Sequence, residues 1–196
     1  AIFAIFCTRK ENEKNKRLLF FSIVMVLAQI GIAVAFGSLY EENAIIFTLK
    51  RLLLLAVLWA VAYTDFREHK ISNKVLLIGL LGWVILTVAE AITDKAIFRE
   101  SLIRECSYAG IILILLVFVR FVSKGGIGMG DIKLLTLMAL LEGSDGFMES
   151  ILLSCIVIFI IAVILLIVRK KGRKDQLPFA PAVLIGTYIS MFLVGA

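Results

Sequence analysis

Residues that build metal centres and disulfide frameworks are scarce in this chain. It holds one histidine, His69, and three cysteines, Cys7, Cys106 and Cys155, none of which belongs to a CxxC pair. A zinc ribbon or a disulfide framework needs closely spaced cysteines, and the HExxH pattern of metalloproteases is absent as well. We therefore expect no metal and no cofactor, and we interpret Cys106 and Cys155 as small core residues.

Charged residues are also few, and they are confined to short clusters. They make up 18% of the 196 residues, whereas 61% are hydrophobic and the mean hydropathy is +1.03. A soluble domain is about a quarter charged. The uncharged runs are Leu18–Leu39, Leu52–Thr64, Val75–Ala89, Cys106–Val119, Ser150–Val168 and Gln176–Ala196. This pattern predicts an all-α, polytopic membrane helix bundle.

The lengths of these runs predict how many helices cross the membrane. A span needs roughly 20 residues, so the first run and the last two qualify outright, and the others reach that length with polar flanks. The segment Asp131–Leu141 is too short to cross alone, although Gly128–Gly143 could form a thin or half-buried helix. We predict six clear helices and this seventh, in one membrane domain over residues 1–196 that begins with a basic segment, residues 1–17.

The net charge of +6 is explained by membrane topology rather than by nucleic acid. Sixteen of the 21 basic residues lie in four clusters, and alternating helices place all four on one side, which the positive-inside rule makes cytoplasmic. The expected partner is the lipid bilayer, and no nucleic acid is expected. The N-terminus is then cytoplasmic, as are the helix ends that carry Asp65 and Asp131. Lys50 and Arg51 fall on the outer side, where we expect Ala44–Arg51 to be an interfacial helical turn whose side chains snorkel outward.

Asp65 and Asp131 are the residues that indicate chemistry. Asp65 follows the run Leu52–Thr64, and Asp131 follows a loop that contains Gly125, Gly126, Gly128 and Gly130. An ionised carboxylate at the edge of hydrocarbon is costly, so such an acid suggests a functional site. Each has a structural alternative: Asp65 as a solvated boundary residue paired with Arg67 or Lys70, and Asp131 as a helix N-cap. Four glycines exceed what a cap needs, and they permit close approach of another backbone.

The only two prolines of the chain, Pro178 and Pro181, lie just before the last apolar run. In the structural interpretation Pro181 occupies the first helical position, where its missing N–H does no harm. In the functional interpretation the segment is a rigid, non-helical edge whose free backbone groups pair with a substrate strand. The residues alone leave this choice open.

The chemistry that needs two aspartates and nothing else is aspartic proteolysis. Two neighbouring carboxyls cannot both ionise readily, so they share one proton. The ionised carboxylate takes a proton from water as the water attacks a peptide carbonyl, and the protonated one hydrogen-bonds the carbonyl oxygen. No catalytic-looking pair of histidine with serine or cysteine is present, which is consistent with this scheme.

Three motifs, in the expected order, resemble those of the GxGD membrane aspartic proteases, specifically the type IV prepilin peptidases. The first is matched by Asp65, Arg67, Ile71 and Asn73, with Ser72 in place of a proline. The second, Gly-x-Gly-Asp-x-Lys-Leu, is matched in full by Gly128, Gly130, Asp131, Lys133 and Leu134. The third is matched by Pro178, Phe179 and Pro181, with Ala180 in place of a glycine.

The resemblance implies that Asp65 and Asp131 are the catalytic pair of a membrane endopeptidase. The residues it implies for substrate binding or site shape are Gly128, Gly130, Lys133, Arg67, Pro178, Phe179 and Pro181. The implied substrate is a prepilin or pseudopilin whose basic leader is cut after a glycine, before an apolar helix, at the cytoplasmic face of a bacterial or archaeal plasma membrane. Bifunctional members also N-methylate the product through a segment with paired cysteines. This chain has only Cys7 near its start, so we expect no methyltransferase activity.

Three rival functions remain. A proton-coupled transporter would use Asp65 and Asp131 as a relay, but it would place them at mid-membrane and usually contain inverted repeats, which this sequence does not show. Another GxGD protease, cutting signal peptides or transmembrane helices, would share the fold, although Lys133 and Leu134 favour the prepilin type. A non-enzymatic membrane assembly factor would need no aspartate pair.

Overall fold

The computed structural model describes residues 29–31, 45–93, 95–167 and 179–193. The chain divides into two compact units, Ala1–Tyr40 and Glu41–Ala196. In the first unit only residues 29–31 are described, and they are helical, so most of the predicted span Leu18–Leu39 lies outside the described residues. The rest of the description concerns the second unit, and the prediction of one domain over residues 1–196 stays a prediction.

Five helices account for nearly all of the described second unit, and no strand occurs in the described ranges. They are α1 (Ile45–Glu68), α2 (Asn73–Thr93), α3 (Lys95–Val122), α4 (Met129–Ile167) and α5 (Ala180–Leu193). Segments long and apolar enough to cross a membrane are Ile45–Phe66, Asn73–Thr93, Phe98–Val122 and Gly146–Ile164. Helices satisfy their own backbone hydrogen bonds, which hydrocarbon requires. The predicted all-α polytopic membrane fold is confirmed.

The short segment before the glycine kink of α4 is the central helix of the bundle. Helix α4 begins at Met129 and bends at Gly143, whose backbone has φ 72° and ψ −168°. Between these points Ile132, Leu134 and Met138 are fully buried. The helix predicted over Asp131–Leu141 is therefore present, two residues longer at each end, and it is a core element rather than a half-exposed one.

Helix α5 is shorter than its apolar run predicts. The run Gln176–Ala196 was expected to span outright. The backbone bends at Phe179, however, and the described helix, Ala180–Leu193, has 14 residues. That corresponds to about 21 Å at 1.5 Å per residue, less than the roughly 30 Å of a hydrocarbon core. Helix α5 packs against α1, where the Trp59 indole N–H donates to the Tyr188 hydroxyl (2.7 Å).

Two predictions about individual side chains are wrong. Lys50 and Arg51 do not snorkel outward: both lie within the continuous helix α1, and each is only 3% exposed. The Lys50 amine donates to carboxylates on the two following helices, at 2.9 Å from Glu90 and 2.6 Å from Glu105. These partners compensate the buried charge. The cysteines Cys106 and Cys155, expected in the core, are exposed, because each faces away from the other helices on an outer helix surface.

Helices α4 and α5 approach each other closely at Gly186. A Cβ atom built on Gly186 would lie 2.6 Å from the Cα of Ser154, so contact is made by backbone and cannot be relieved by rotating a side chain. We predict that Gly186→Ala lowers the free energy of unfolding by about 1–3 kcal/mol, the usual cost of overpacking. Thermal unfolding in detergent, followed by tryptophan fluorescence, measures the change.

The matched control is Gly110→Ala in α3, where an added Cβ meets nothing within 4 Å. Alanine is the better helix former by about 1 kcal/mol, so this variant should be neutral or stabilised. Equal melting temperatures for the two variants would contradict the close approach at Gly186.

Candidate active site

Asp65 lies in the last turn of α1 and is nearly buried, with 7% of its surface exposed. The helix ends at Glu68, three residues later: the His69 N–H donates to the Asp65 carbonyl (2.9 Å), and His69 has a left-handed φ of 50°. A residue in this conformation commonly ends a helix. The chain then turns through Lys70, Ile71 and Ser72 into α2. Asp65 is therefore not the solvated boundary residue of the structural alternative.

The Asp65 carboxylate caps the start of another helix. Its Oδ2 accepts a hydrogen bond from the backbone N–H of Ala180, the first residue of α5, at 2.9 Å. The next residue, Pro181, has no N–H, and Ala182 and Val183 both donate to the Phe179 carbonyl at 3.1 Å. Every N–H at this buried helix start thus has an acceptor. The structural interpretation put Pro181 at the first helical position. It is the second helical residue, and the first turn tolerates it equally well.

Asp131 is the third residue of α4, so it is not the helix N-cap of the structural alternative. The Ile132 N–H donates to the Gly128 carbonyl (3.2 Å), which makes Gly128 the capping residue. The Asp131 carboxylate in turn accepts from the Gly128 backbone N–H, as the acidic residue of a capping box does. A Cβ on Gly128 would lie 2.7 Å from the Asp131 Oδ2. Any side chain at position 128 would therefore have to displace this carboxylate.

The loop before Asp131 is held in place by hydrogen bonds that its own backbone groups make. Gly125 has a φ of 91°, and its N–H donates to the Arg120 carbonyl at 2.9 Å. The Arg120 guanidinium reaches across the loop and donates to the Ile127 carbonyl. Only Gly125 among the four glycines needs a left-handed conformation. Gly128 and Gly130 serve close approach instead.

Two contacts join the Asp131 segment to the turn that follows Asp65. A Cβ on Gly130 would lie 2.9 Å from the Ile71 Cβ, so Gly130 lets the two segments touch. The Lys133 amine donates to the Asn73 side-chain oxygen at 3.0 Å. These contacts connect residues about sixty positions apart and bring both aspartates to one end of the bundle.

A single open cleft of about 570 Å³ contains both aspartates. It is lined by Asp65, His69, Lys70, Ile71, Asn73, Gly125, Gly126, Gly128, Met129, Gly130, Asp131, Lys133 and Phe179. Glycine backbone forms one wall, and the turn after α1 forms the other. The cleft therefore offers exposed backbone next to two carboxyls, an arrangement that suits an extended peptide.

The carboxyls are electrostatically coupled. Burial raises the pKa of Asp131, which lies outside the candidate spans, and the nearby charge of Asp65 raises that pKa further. The Gly128 N–H opposes both effects by stabilising the ionised form. A pair in which one charge raises the other group's pKa holds one proton over a range of pH, the property that paired acids use in catalysis.

Most of the predicted site residues line this cleft, but not all. Asp65, Asp131, Gly128, Gly130, Lys133 and Phe179 do. Pro181 does not line the cleft and lies in the first turn of α5, two residues after Phe179. Arg67 belongs to α1, Pro178 lies outside the described residues, and the roles predicted for both stay predictions. The described part of the chain contains no cluster of three or more His, Cys, Asp or Glu residues that could hold a metal ion.

No residue pattern predicted two of the contacts that build the site. The Asn73 side chain, matched only as part of a motif and as a helix start, accepts from Lys133, 60 positions away. Ala180, 115 positions from Asp65, was noted only for replacing a motif glycine, and its amide was not identified as a donor. A backbone N–H is common to every residue except proline, so no residue pattern identifies the one that a carboxylate will bind.

Comparison with known proteins gives two matches. The model of the type IV leader peptidase family matches residues 52–165, which include both aspartates and the glycine loop. A prepilin leader peptidase/N-methyltransferase of Pseudomonas aeruginosa is 27% identical over 189 residues, covering 94% of this chain and 61% of that relative. The chain thus spans less than two thirds of the relative's length. No solved structure matches the present chain significantly.

The bond between Asp65 and Ala180 predicts different effects for two substitutions of Asp65. Asp65→Asn keeps a carbonyl oxygen that can accept from Ala180, so the fold should be nearly as stable as the parent. Asp65→Leu leaves a buried N–H without an acceptor, which costs about 1–3 kcal/mol. Thermal unfolding in detergent compares the two variants. If Asp65→Leu melts no lower than Asp65→Asn, the carboxylate does not hold the start of α5.

Proposed function

Because the chain belongs to the type IV leader peptidase family, we propose that it is a membrane aspartic endopeptidase that removes the basic leader of type IV prepilins or pseudopilins. The observation that carries the proposal is the single cleft in which Asp65 and Asp131 lie together and in which the charge of one raises the pKa of the other. Cleavage follows a glycine, and the apolar helix of the substrate begins soon afterwards.

The two carboxyls have different roles in the proposed mechanism. Asp131, whose pKa is raised, carries the shared proton. Asp65 accepts the Ala180 N–H at the positive end of α5, where a negative charge is favoured. Ionised Asp65 is therefore the general base that takes a proton from the attacking water. Protonated Asp131 donates a hydrogen bond to the carbonyl oxygen of the scissile peptide.

The reaction then proceeds through a tetrahedral intermediate. Water oxygen bonds to the scissile carbonyl carbon, and the negative charge that develops on the carbonyl oxygen is stabilised by the Asp131 proton. The proton that Asp65 received passes to the leaving amine as the C–N bond breaks. The products are a carboxylic acid on the leader, which then ionises by giving the second proton of the water to solvent, and a free N-terminal amine on the apolar helix. The two aspartates return to their starting protonation.

The substrate lies in an extended conformation along the glycine wall of the cleft. Gly126 and Gly128 expose their backbones to the cleft, so the scissile segment can approach without meeting side chains. The positive-inside distribution of basic residues favours the cytoplasmic side for this end of the bundle and for the N-terminus. The resemblance to prepilin peptidases favours a bacterial or archaeal plasma membrane. The chain lacks paired cysteines, and we expect peptidase activity without N-methylation.

The proposal predicts that each aspartate is indispensable. Asp65→Asn and Asp131→Asn should each lower kcat/KM at least about 100-fold, since each removes one half of a general acid–base pair. The assay mixes purified protein in detergent with a purified prepilin and follows leader removal by mass spectrometry. Glu68→Gln, an exposed acid in the same last turn of α1, is the matched control and should cleave normally.

Two outcomes would contradict the proposal. If either Asn variant cleaved at the normal rate, the paired-acid mechanism would be wrong. If the wild-type protein in sealed vesicles moved protons, lost this activity in both Asn variants and left prepilin intact, the transporter function would replace it.

The pH dependence follows from the raised pKa of Asp131. An ordinary aspartate, with a pKa of about 3.9, loses its proton near pH 4. Burial and the Asp65 charge let Asp131 keep its proton to higher pH, so activity should persist above pH 4 and fall as pH rises through the raised pKa. The alkaline limb of the kcat/KM profile measures it. Melting temperatures over the same pH range separate this effect from unfolding, and a limb near pH 4 would exclude Asp131 as the acid.

A further inference from the structure

A second groove, of about 450 Å³, lies beside the catalytic cleft on the membrane-facing side of α2, α3 and α4. It is lined by Asn73, Leu76, Leu77, Leu80, Leu113, Lys133, Thr136, Leu137 and Leu140. Leu76 and Leu137 are buried and form its floor, whereas Leu77, Leu80 and Leu113 are exposed and form its rim. The only polar side chain away from its entrance is Thr136, whose hydroxyl donates to the Ile132 carbonyl of its own helix (2.8 Å). The groove thus offers leucine side chains and no free hydrogen-bonding group.

The groove begins where the catalytic cleft ends. Asn73 and Lys133 line both cavities, and the hydrogen bond between them forms the boundary. Lys133 follows Asp131 by two residues, so the entrance lies about 3 Å further along the axis of α4. From that entrance the groove extends along α2 to Leu80 and along α4 to Leu140. Seven residues of helix correspond to about 10 Å, or two helical turns.

We propose that this groove binds the first two turns of the substrate's apolar helix, directly after the scissile bond. The inference rests on the proposed function, because the proposed function supplies a substrate whose leader is followed by such a helix. A leucine-lined groove open to lipid fits an apolar helix whose side chains repeat every three to four residues. The Lys133 amine at the entrance disfavours a basic leader in the same position. The substrate is thereby oriented, with its helix in the groove and its leader on the far side of the aspartates.

Filling the groove should weaken the binding of long substrates and leave the cleavage of short ones nearly unchanged. In Leu80→Trp and Leu113→Trp an indole occupies the space above the buried floor. We expect the KM for an intact prepilin to rise at least 10-fold, whereas the kcat/KM for a soluble peptide that ends three residues after the scissile bond stays within a factor of two. This split between substrates would not arise from a general loss of fold.

The chain offers a matched control in another apolar groove of about 450 Å³. This control groove is lined by Met148, Ile151, Leu152, Cys155, Ile156 and Phe159, none of which lines the cleft. Leu152→Trp should leave both substrates unaffected. Equal losses for long and short substrates, or an equal effect of Leu152→Trp, would overturn the proposed docking site.

Cross-linking tests the same site without requiring cleavage. Single cysteines at Leu77, Leu80 or Leu152 are introduced into a protein in which Cys7, Cys106 and Cys155 are replaced by serine, with Asp131→Asn to keep the substrate intact. Prepilins carrying one cysteine at successive positions after the scissile bond are then oxidised with each variant. We expect Leu77 and Leu80 positions to cross-link with a three-to-four-residue period, the deeper Leu80 to more distant substrate positions, and the Leu152 position not to cross-link.

The cross-linking outcomes distinguish this inference from the proposed function. Absent or aperiodic cross-links at Leu77 and Leu80 would mean that lipid alone fills the groove, and the docking site would be wrong even if prepilin is cleaved. Periodic cross-links to a prepilin that wild-type protein never cleaves would support the docking site and contradict the peptidase function.

Discussion

The hydrogen bond between the Asp65 carboxylate and the Ala180 amide is the interaction on which the site depends. It joins the end of α1 to the start of α5, two helices separated by more than a hundred residues. Without it, a helix start would be buried next to the cleft with an unsatisfied N–H. The same bond leaves Asp65 only one oxygen for chemistry and fixes its direction. A single contact thus serves both the packing of the bundle and the placement of a candidate catalytic carboxylate.

The opposite end of α1 uses a different solution to the same problem of buried charge. There Lys50 binds Glu90 of α2 and Glu105 of α3, and the Trp83 indole N–H donates to the second Glu105 oxygen at 2.9 Å. Removing one member of such a network leaves an uncompensated charge, which is strongly destabilising. This network therefore fixes three helices relative to one another. Lys50 and Asp65 are fifteen residues apart in α1, which at 1.5 Å per residue places the network about 22 Å from the cleft. The cleft end can remain open because the bundle is held together elsewhere.

The sequence predicted the helices well and the individual side-chain environments less well. Apolar runs and the glycine loop located every described helix, including the short core helix before Gly143, because hydrophobicity is a local property of the chain. The directions of Lys50 and Arg51 could not be predicted, since the carboxylates that bind Lys50 lie 40 and 55 positions away. The exposure of Cys106 and Cys155 was missed for a related reason: in a membrane protein an apolar residue is equally at home against lipid and against protein. At the site, the motifs predicted that Asp65 and Asp131 act as a pair, and both line one cleft. The capping roles of Gly128 and Asp65 could not be predicted, because they depend on the backbone geometry.

The boundary formed by Lys133 and Asn73 has a consequence for the products of the proposed cleavage. On one side of this boundary the cleft is polar and open to water, and on the other the groove is apolar and open to lipid. A basic fragment would leave by dissolving in the aqueous phase, and an apolar helix would leave by diffusing sideways in the bilayer. The two fragments would then be partitioned into different solvents and would rarely meet again. Partitioning of the two products between water and the bilayer would keep the reaction from reversing, in addition to the equilibrium of peptide hydrolysis. It would also keep the products from blocking the site.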